Sequence, residues 1–283
     1  MTPSAMGARV RLRAATAALA LAALAVSATS ARAEGPQDRF WGQLEYFFPT
    51  IDSTARLDVV ATDRPGSAVR LEDDLGLDDR KGTPYLLLGT RLGERWRLEF
   101  EFYRLERTAE RTIDRAIDWG DVSFPLAAQV ASRFDSTVYR LVGGYSFVRT
   151  PQAEFGAALG LHVTDFTLGL SGQASAGGGA VGFQREDRDT LVPLPTLGLY
   201  GSWHLADQWV LRGRADLLSL KVDAYDGRLV NLMAGIDWRV ARHWGVGLGY
   251  RYVDYQLEST DDAFRGEVNY NFRGPTLYVT AAF

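Results

Sequence analysis

The 283-residue chain contains no cysteine, which excludes a disulfide scaffold, a thiolate metal site and a cysteine nucleophile. It has only two lysines, Lys81 and Lys221, against many arginines. Beyond the N-terminus it has no apolar run near the ~20 residues that a membrane helix needs, which excludes a multi-helix membrane protein. What it has instead is 29 glycines, 12% aromatic residues and an ordinary 46% apolar content, which argues against a wholly disordered chain.

The one long apolar run lies at the start. Arg9, Arg11 and Arg13 form a positive region, residues 14–28 are apolar except for Thr16 and Ser27, and Ala31-Arg32-Ala33 has the small-residue pattern of a cleavage site. This order is that of a secretory signal peptide, so we expect a leader at 1–33 and one mature domain at 34–283. The chain carries a net charge of −4, and the leader holds four arginines and no acid, so the mature domain is more acidic still. That acidity argues against nucleic acid as a partner.

The mature sequence alternates with period two. Trp96, Leu98, Phe100 and Phe102 share one parity and Arg97, Glu99 and Glu101 the other, which on a strand gives an apolar wall and a charged wall. The pattern recurs along 155–163, 197–205, 209–217, 230–240 and 244–252. Each stretch approaches the ~9–11 residues of a tilted membrane-spanning strand. Ten strands are predicted, at about 40–50, 83–92, 96–107, 134–148, 155–171, 194–205, 209–222, 228–240, 244–257 and 267–283.

Connections alternate in length. Gly93 to Arg95, Arg149 to Glu154, Ala206 to Gln208 and Ala241 to His243 are tight. Asp52 to Gly82, Thr108 to Pro125, Gly172 to Val192, Asp223 to Gly227 and Glu258 to Gly266 are longer and polar. The expected fold is therefore all-β: a transmembrane, antiparallel, up-and-down β-barrel of about 10 strands, with both termini in the periplasm. Counts of 8 or 12 are the alternatives, twelve if a further hairpin forms around Asp63-Arg64-Pro65-Gly66. Aromatics near the strand ends are expected at the membrane interface, namely Trp41, Trp96, Phe147, Phe155, Trp203, Trp209, Trp238, Trp244 and Phe283.

The polar parity supplies the expected lumen: Gln43, Glu45, Arg91, Arg97, Glu99, Glu101, Arg140, Arg212, Arg214, Asp216, Asp237, Arg239 and Arg251. Arginine and carboxylate interlock bidentately, so this set is expected to fill a narrow barrel with a paired polar network. Glu99 and Glu101 are expected to meet Arg212 and Arg214 across it. A barrel of this size encloses little more than side chains, which leaves a structural core or a narrow small-solute channel. His162 faces the lumen but Asp165 falls on the opposite parity, and His204 and His243 lie near tight turns, so no catalytic constellation emerges. We expect no enzyme activity, no cofactor and no metal site. The acidic run Glu72 to Asp79 matches no calcium loop and is expected to be solvated or folded inward. Ala174 to Gly182, with four glycines, is expected to be a mobile outer loop.

Leu277, Val279, Ala281 and the terminal Phe283 alternate in a final strand. This strand resembles the C-terminal assembly signal of bacterial outer-membrane proteins, and the whole mature chain resembles the small barrels of the OmpA-, OmpX- and OmpW-like group. The run Leu71 to Asp79 is similar to a segment found in proteobacterial members of that group. The resemblance implies the outer membrane of a Gram-negative bacterium. It also implies contact with outer-membrane lipid and lipopolysaccharide, insertion by the barrel-assembly machinery, and a monomer. The alternative role it leaves open is surface binding or adhesion through the outer loops, with a hydrolase at the lumen rim less favoured.

Overall fold

A computed structural model of the chain describes residues 38–59, 65–176, 182–222, 225–261 and 264–283. The expected leader, residues 60–64 of the segment that could add a further hairpin, and most of the glycine-rich 174–182 segment lie outside them. The strands are β1 (Phe40–Phe47), β2 (Thr50–Leu57), β3 (Val69–Arg70), β4 (Thr83–Leu92), β5 (Trp96–Thr112), β6 (Ile117–Trp119), β7 (Val122–Phe124), β8 (Gln129–Arg149), β9 (Ala153–Ala176), β10 (Gly182–Ala206), β11 (Trp209–Val222), β12 (Tyr225–Arg239), β13 (Trp244–Asp261) and β14 (Phe264–Ala282).

Ten of these follow one another around the wall in the order β1, β4, β5, β8 through β14, all antiparallel, and β14 returns to β1. The closing ladder runs from Trp41 opposite Ala282 to Phe47 opposite Thr276. At its end Phe283 N donates to Phe40 O (2.8 Å) and Arg39 N to Phe283 O (2.6 Å). Closure leaves no open edge, the condition for a sheet surrounded by lipid, where water cannot satisfy a free N–H or C=O.

β1 and β2 are one ladder against β14. Thr50 opposite Arg273 through Leu57 opposite Gly266 continues the same register. The break falls at Phe48-Pro49, where proline has no N–H to donate. β4 begins only at Thr83, so β2 has no full-length neighbour on that side. β3 and the acidic segment take the place: Leu71 N donates to Ser53 O (2.9 Å) and Ile51 N to Asp79 O (2.8 Å). The run expected to be solvated or inward-folded is thus a wall patch. Leu71, Leu75 and Leu77 are buried, while Glu72 bonds Ser53 and Arg107.

Polarity divides the barrel into two zones. On β5 the outward residues Trp96, Leu98, Phe100 and Phe102 give way to Arg104, Glu106, Thr108 and Glu110, while inward Arg97, Glu99 and Glu101 give way to Tyr103, Leu105, Ala109 and a buried Arg107 that pairs with Glu72 of the acidic segment. On β13, outward Trp244, Val246, Leu248, Tyr250 and Tyr252 give way to Asp254, Gln256 and Glu258, and inward Val253, Tyr255 and Leu257 follow Arg251. The nine residues of β13 from Trp244 to Tyr252, five of them on the apolar outer face, rise about 27 Å along the strand, or about 20 Å along the normal at the tilt of a membrane barrel, close to the height of a lipid-facing band.

β9 has 24 residues and β10 has 25, well beyond a membrane crossing. Gly172 to Val192 is therefore largely strand rather than loop, and β5 and β8 likewise outrun their expected limits. They continue because their inward side chains pack on one another: Leu105, Val130, Phe134, Phe166, Leu168, Tyr255, Leu257, Val268 and Tyr270 belong to one buried cluster. The segment Thr108 to Pro125, expected to be an outer loop, turns back into it. β6 and β7 form a small hairpin that carries Ile117, Trp119, Val122 and Phe124 into that cluster, held by Gly120 N to Leu57 O (2.9 Å). At the other end, Gly93 turns β4 into β5 with φ 68°, a conformation that suits glycine.

Eight of the nine interface aromatics stand exposed on the outer wall, among them Trp96, Trp203, Trp209, Trp238 and Phe283. Trp41 does not. It shares parity with Gln43 and Glu45, so it faces inward, where its Nε1 donates to Glu99 Oε1 (3.1 Å). Its ring also lies 4.8 Å from the Arg97 guanidinium carbon.

Candidate functional site

The charged zone of the interior is the candidate site. Alternation on nine wall strands aims its side chains at the axis, where they pair with one another. Glu101, from β5, receives Arg140 Nη1 of β8 (3.0 Å) and Arg214 Nη1 of β11 (3.1 Å) and also the Tyr85 hydroxyl of β4. Arg214 bonds Glu99 (2.7 Å) and Asp216 (2.9 Å), and Arg140 also pairs with Asp216. Arg251 reaches Glu45 (3.2 Å), which accepts from Gln43 Nε2 (2.8 Å), and stacks 4.4 Å from the Tyr85 ring centre.

Closer to the chain termini, Arg91 forks onto both oxygens of Glu154 (3.0 and 2.9 Å), and Ser146 donates to the same carboxylate. Arg97 pairs with Glu99 and lies 4.3 Å over Tyr200. Arg212 pairs with Asp237. Charges this deeply buried are tolerable only when matched, because taking an ion out of water costs several kcal/mol by itself.

The structure therefore brings together Glu99, Glu101 and Arg214, as the parity argument anticipates, but sends Arg212 to Asp237 instead. Arg239, half-buried, sits nearer the terminal opening. Sequence reading missed Tyr85, Ser146, Glu154 and Tyr200 and placed Trp41 at the outer membrane interface rather than inside. Glu154 was legible, since it has the parity opposite to the outward Phe155. The aromatics were less so, because their place beside arginine depends on glycine: a Cβ at Gly156 would overlap the Tyr200 ring, and one at Gly247 the Tyr278 ring.

The three histidines stay apart. His162 is buried beyond the charged network, its ring 6.5 Å from that of Tyr255. His204 Nδ1 lies 3.3 Å from Gln152 O, and His243 Nδ1 lies 2.8 Å from Ala282 O, both near the terminal end. Asp165 is exposed on the outer wall. Among the described residues no three His, Asp or Glu side chains gather to hold a metal ion.

The interior has a blind opening. A cavity of about 200 Å³ enters from the terminal end, between Trp41, Arg212, Arg239, Arg242 and His243, and stops at Glu101, Arg140 and Arg251. On the other side of that floor lies the apolar cluster.

The sequence model described as Outer membrane protein beta-barrel domain matches residues 16–272. The chain belongs to that family. It is a protein of the Gram-negative outer membrane, and the closed ten-stranded wall and apolar belt are those such a membrane requires. Among solved structures the barrel is similar to the outer-membrane protease OmpT of Escherichia coli, at 11% identity and TM-score 0.57, covering 88% of this chain and 98% of that one. It also aligns with the translocator domain of the autotransporter NalP of Neisseria meningitidis (14% identity, TM-score 0.43, 97% of each chain). A third alignment is with the toluene transporter TodX of Pseudomonas putida (10% identity, TM-score 0.38, 87% of this chain and 90% of that one). No curated protein sequence matches the chain. At these identities the likeness is one of fold alone, so the role of this outer-membrane barrel has to be argued from its own interior.

Proposed function

We propose that this barrel is a closed, non-catalytic structural protein of the outer membrane, with its termini in the periplasm and its protruding apolar-cored end outside the cell. The observation that carries this reading is the distal core. Trp119, Phe124, Phe134 and Phe166 are fully buried across the lumen, where a channel would need water. The paired arginines and carboxylates beneath them form a second layer across the lumen. The orientation follows from the tight turns at the terminal end, the pattern of periplasmic turns. Leu277, Val279 and Phe283 lie exposed on the last strand, available to the barrel-assembly machinery as its signal. The apolar belt is the surface for lipid and lipopolysaccharide, and the barrel works as a monomer.

The test is conductance in planar bilayers. The intact barrel should pass no steady current, and deletion of residues 114–127, which removes the inserted hairpin, should open one. A persistent current through the intact chain would overturn the closed reading in favour of a narrow solute channel. A second reading, surface binding, draws on the length of β9 and β10, which run well beyond a membrane crossing. Exchanging the loops at their tips would separate it from a purely structural role.

A further inference from the structure

The blind cavity at the terminal end is not explained by a structural role, since a filled polar core would be complete without it. Its charge is graded. At the floor, Glu101 is bonded by Arg140 and Arg214, and Arg251 by Glu45, so cations and anions match. Toward the mouth the balance shifts: Arg212, Arg239 and Arg242 line the opening together with His204 and His243, against the carboxylates of Asp237 and Asp38. Asp237 is fully buried and pairs with Arg212, yet a third of the Arg212 side chain remains exposed at 34%. Arg242 is exposed at the rim.

A guanidinium has five N–H donors and a planar fork that matches oxyanions, and one carboxylate partner does not exhaust it. At the mouth three arginines outnumber two carboxylates, and a net positive charge between low-dielectric walls raises the local concentration of anions. About 200 Å³ is room for several waters, or for one small oxyanion with its hydration partly replaced.

We propose that the terminal cavity is an oxyanion site, in which Arg212, Arg239 and Arg242 bind a phosphate group. The geometry fixes the chemistry of the group rather than its source. It belongs either to a small soluble phosphate or to the headgroup of a phospholipid in the adjacent leaflet, reaching over the rim beside Arg242. The site itself does not depend on the barrel being closed. Only the compartment it faces, the periplasm, rests on the orientation proposed above.

The experiment uses the full barrel folded in maltoside micelles, which contain no phosphate. Inorganic phosphate is titrated at constant ionic strength against chloride and followed by phosphorus NMR line broadening. A second arm adds short-chain phosphatidylglycerol, with the matching diacylglycerol as its phosphate-free control, and follows the thermal midpoint. The variants are R242Q, at the exposed rim, and the paired R212Q/D237N, which removes the cation without stranding its carboxylate. Arg104→Gln, outside the barrel, is the control. Saturable broadening by inorganic phosphate that weakens at least tenfold in R212Q/D237N and severalfold in R242Q, but not in the control, supports the site with a soluble source. Stabilisation by phosphatidylglycerol alone, lost in the same variants, supports it with a lipid source. Saturation by neither, or saturation that survives both variants unchanged, overturns the proposal. Conductance plays no part in these readouts, so failure here and failure of the closed-barrel reading are distinguishable.

Discussion

Up to Phe102 on β5 and Tyr252 on β13, the outer wall is apolar and the interior charged. Beyond them the outer wall is charged and the interior mostly apolar, with Arg107 matched there by Glu72. The same strands, in the same register, carry both zones. The backbone is indifferent to the change, because a ladder pairs its own N–H and C=O groups whatever lies on either face. The side chains are not. In lipid the wall must be greasy and the inside has to satisfy itself with ion pairs. In water the barrel needs a hydrophobic core like that of any soluble sheet. The difference teaches that inside and outside are set by solvent zone by zone along a strand, with the alternation kept and its phase moved by one residue.

The comparison can be broken most severely by removing the centre of the charged zone. Glu101 holds Arg140, Arg214 and the Tyr85 hydroxyl. Glu101→Ala leaves two buried guanidiniums short of a partner, at a cost expected toward the upper end of roughly 3–5 kcal/mol. Denaturant unfolding of the barrel in lipid vesicles measures it, and a loss below 1 kcal/mol would mean that water reaches and solvates the network. In the distal zone the equivalent injury is a cavity. Phe166 packs 5.3 Å from Tyr255 and 5.7 Å from Tyr270, centre to centre. Phe166→Ala is expected to cost about 3–4 kcal/mol. It should also speed hydrogen exchange in β6 and β7 while leaving the belt strands protected. Uniform loss of protection would show that the two zones unfold as one.

A gentler test reads the outer wall. Leu248 is exposed in mid-belt and Gln256, eight residues further along β13, is exposed beyond it. Leu248→Arg should cost about 2–4 kcal/mol in vesicles, the penalty for a cation facing lipid away from the interface. Gln256→Arg should stay within about 0.5 kcal/mol, as for an ordinary surface change. Equal effects would move the membrane boundary from where the polarity of the strand places it.

Much of this was legible in the sequence, and the part that was not has one cause. Period two placed the belt and most of the charged interior, because a strand has only two faces. It also decides Trp41: a residue two before Gln43 and four before Glu45 faces as they do, and only the general preference of tryptophan for interfaces argued otherwise. The distal zone was misread as loops because its outward residues are polar, which in a membrane protein suggests a connection. The signal of continuation was present. Phe102-Tyr103, Val138-Tyr139 and Tyr252-Val253 each set two apolar residues side by side, one for each face, where the phase changes. The inward turn of β6 and β7 was marked by Ile113, Ile117, Trp119, Val122 and Phe124, too apolar a series for an exposed loop. The partners of individual arginines were not legible, because which of several inward carboxylates a long side chain reaches depends on strand stagger across the lumen.

The smallest expected effect concerns the wall patch, where the distal zone is held by charge rather than by apolar packing alone. Asp74 lies outside the membrane. Partial burial raises its pKa, but this is outweighed by the Arg115 hydrogen bond (2.9 Å), the Arg70 backbone N–H (2.9 Å) and the positive charge of both, which together hold it below its ordinary value of 3.8. A carboxyl whose folded pKa is lowered contributes stability that is complete above the unfolded value and lost as pH falls through the folded one. The contribution should therefore be constant at neutral pH, start to fade near pH 4 and vanish in stronger acid. Solvent screens the site, so its size should stay below about 1 kcal/mol. Protease cleavage in residues 71–79, followed against pH, reads the patch separately from the barrel. Acid should expose these bonds in the intact chain before the belt strands open, and Asp74→Asn should cleave faster at neutral pH with a much flatter dependence between pH 5 and 3. Cleavage that tracks pH equally in both proteins would show that Asp74 does not carry the acid response.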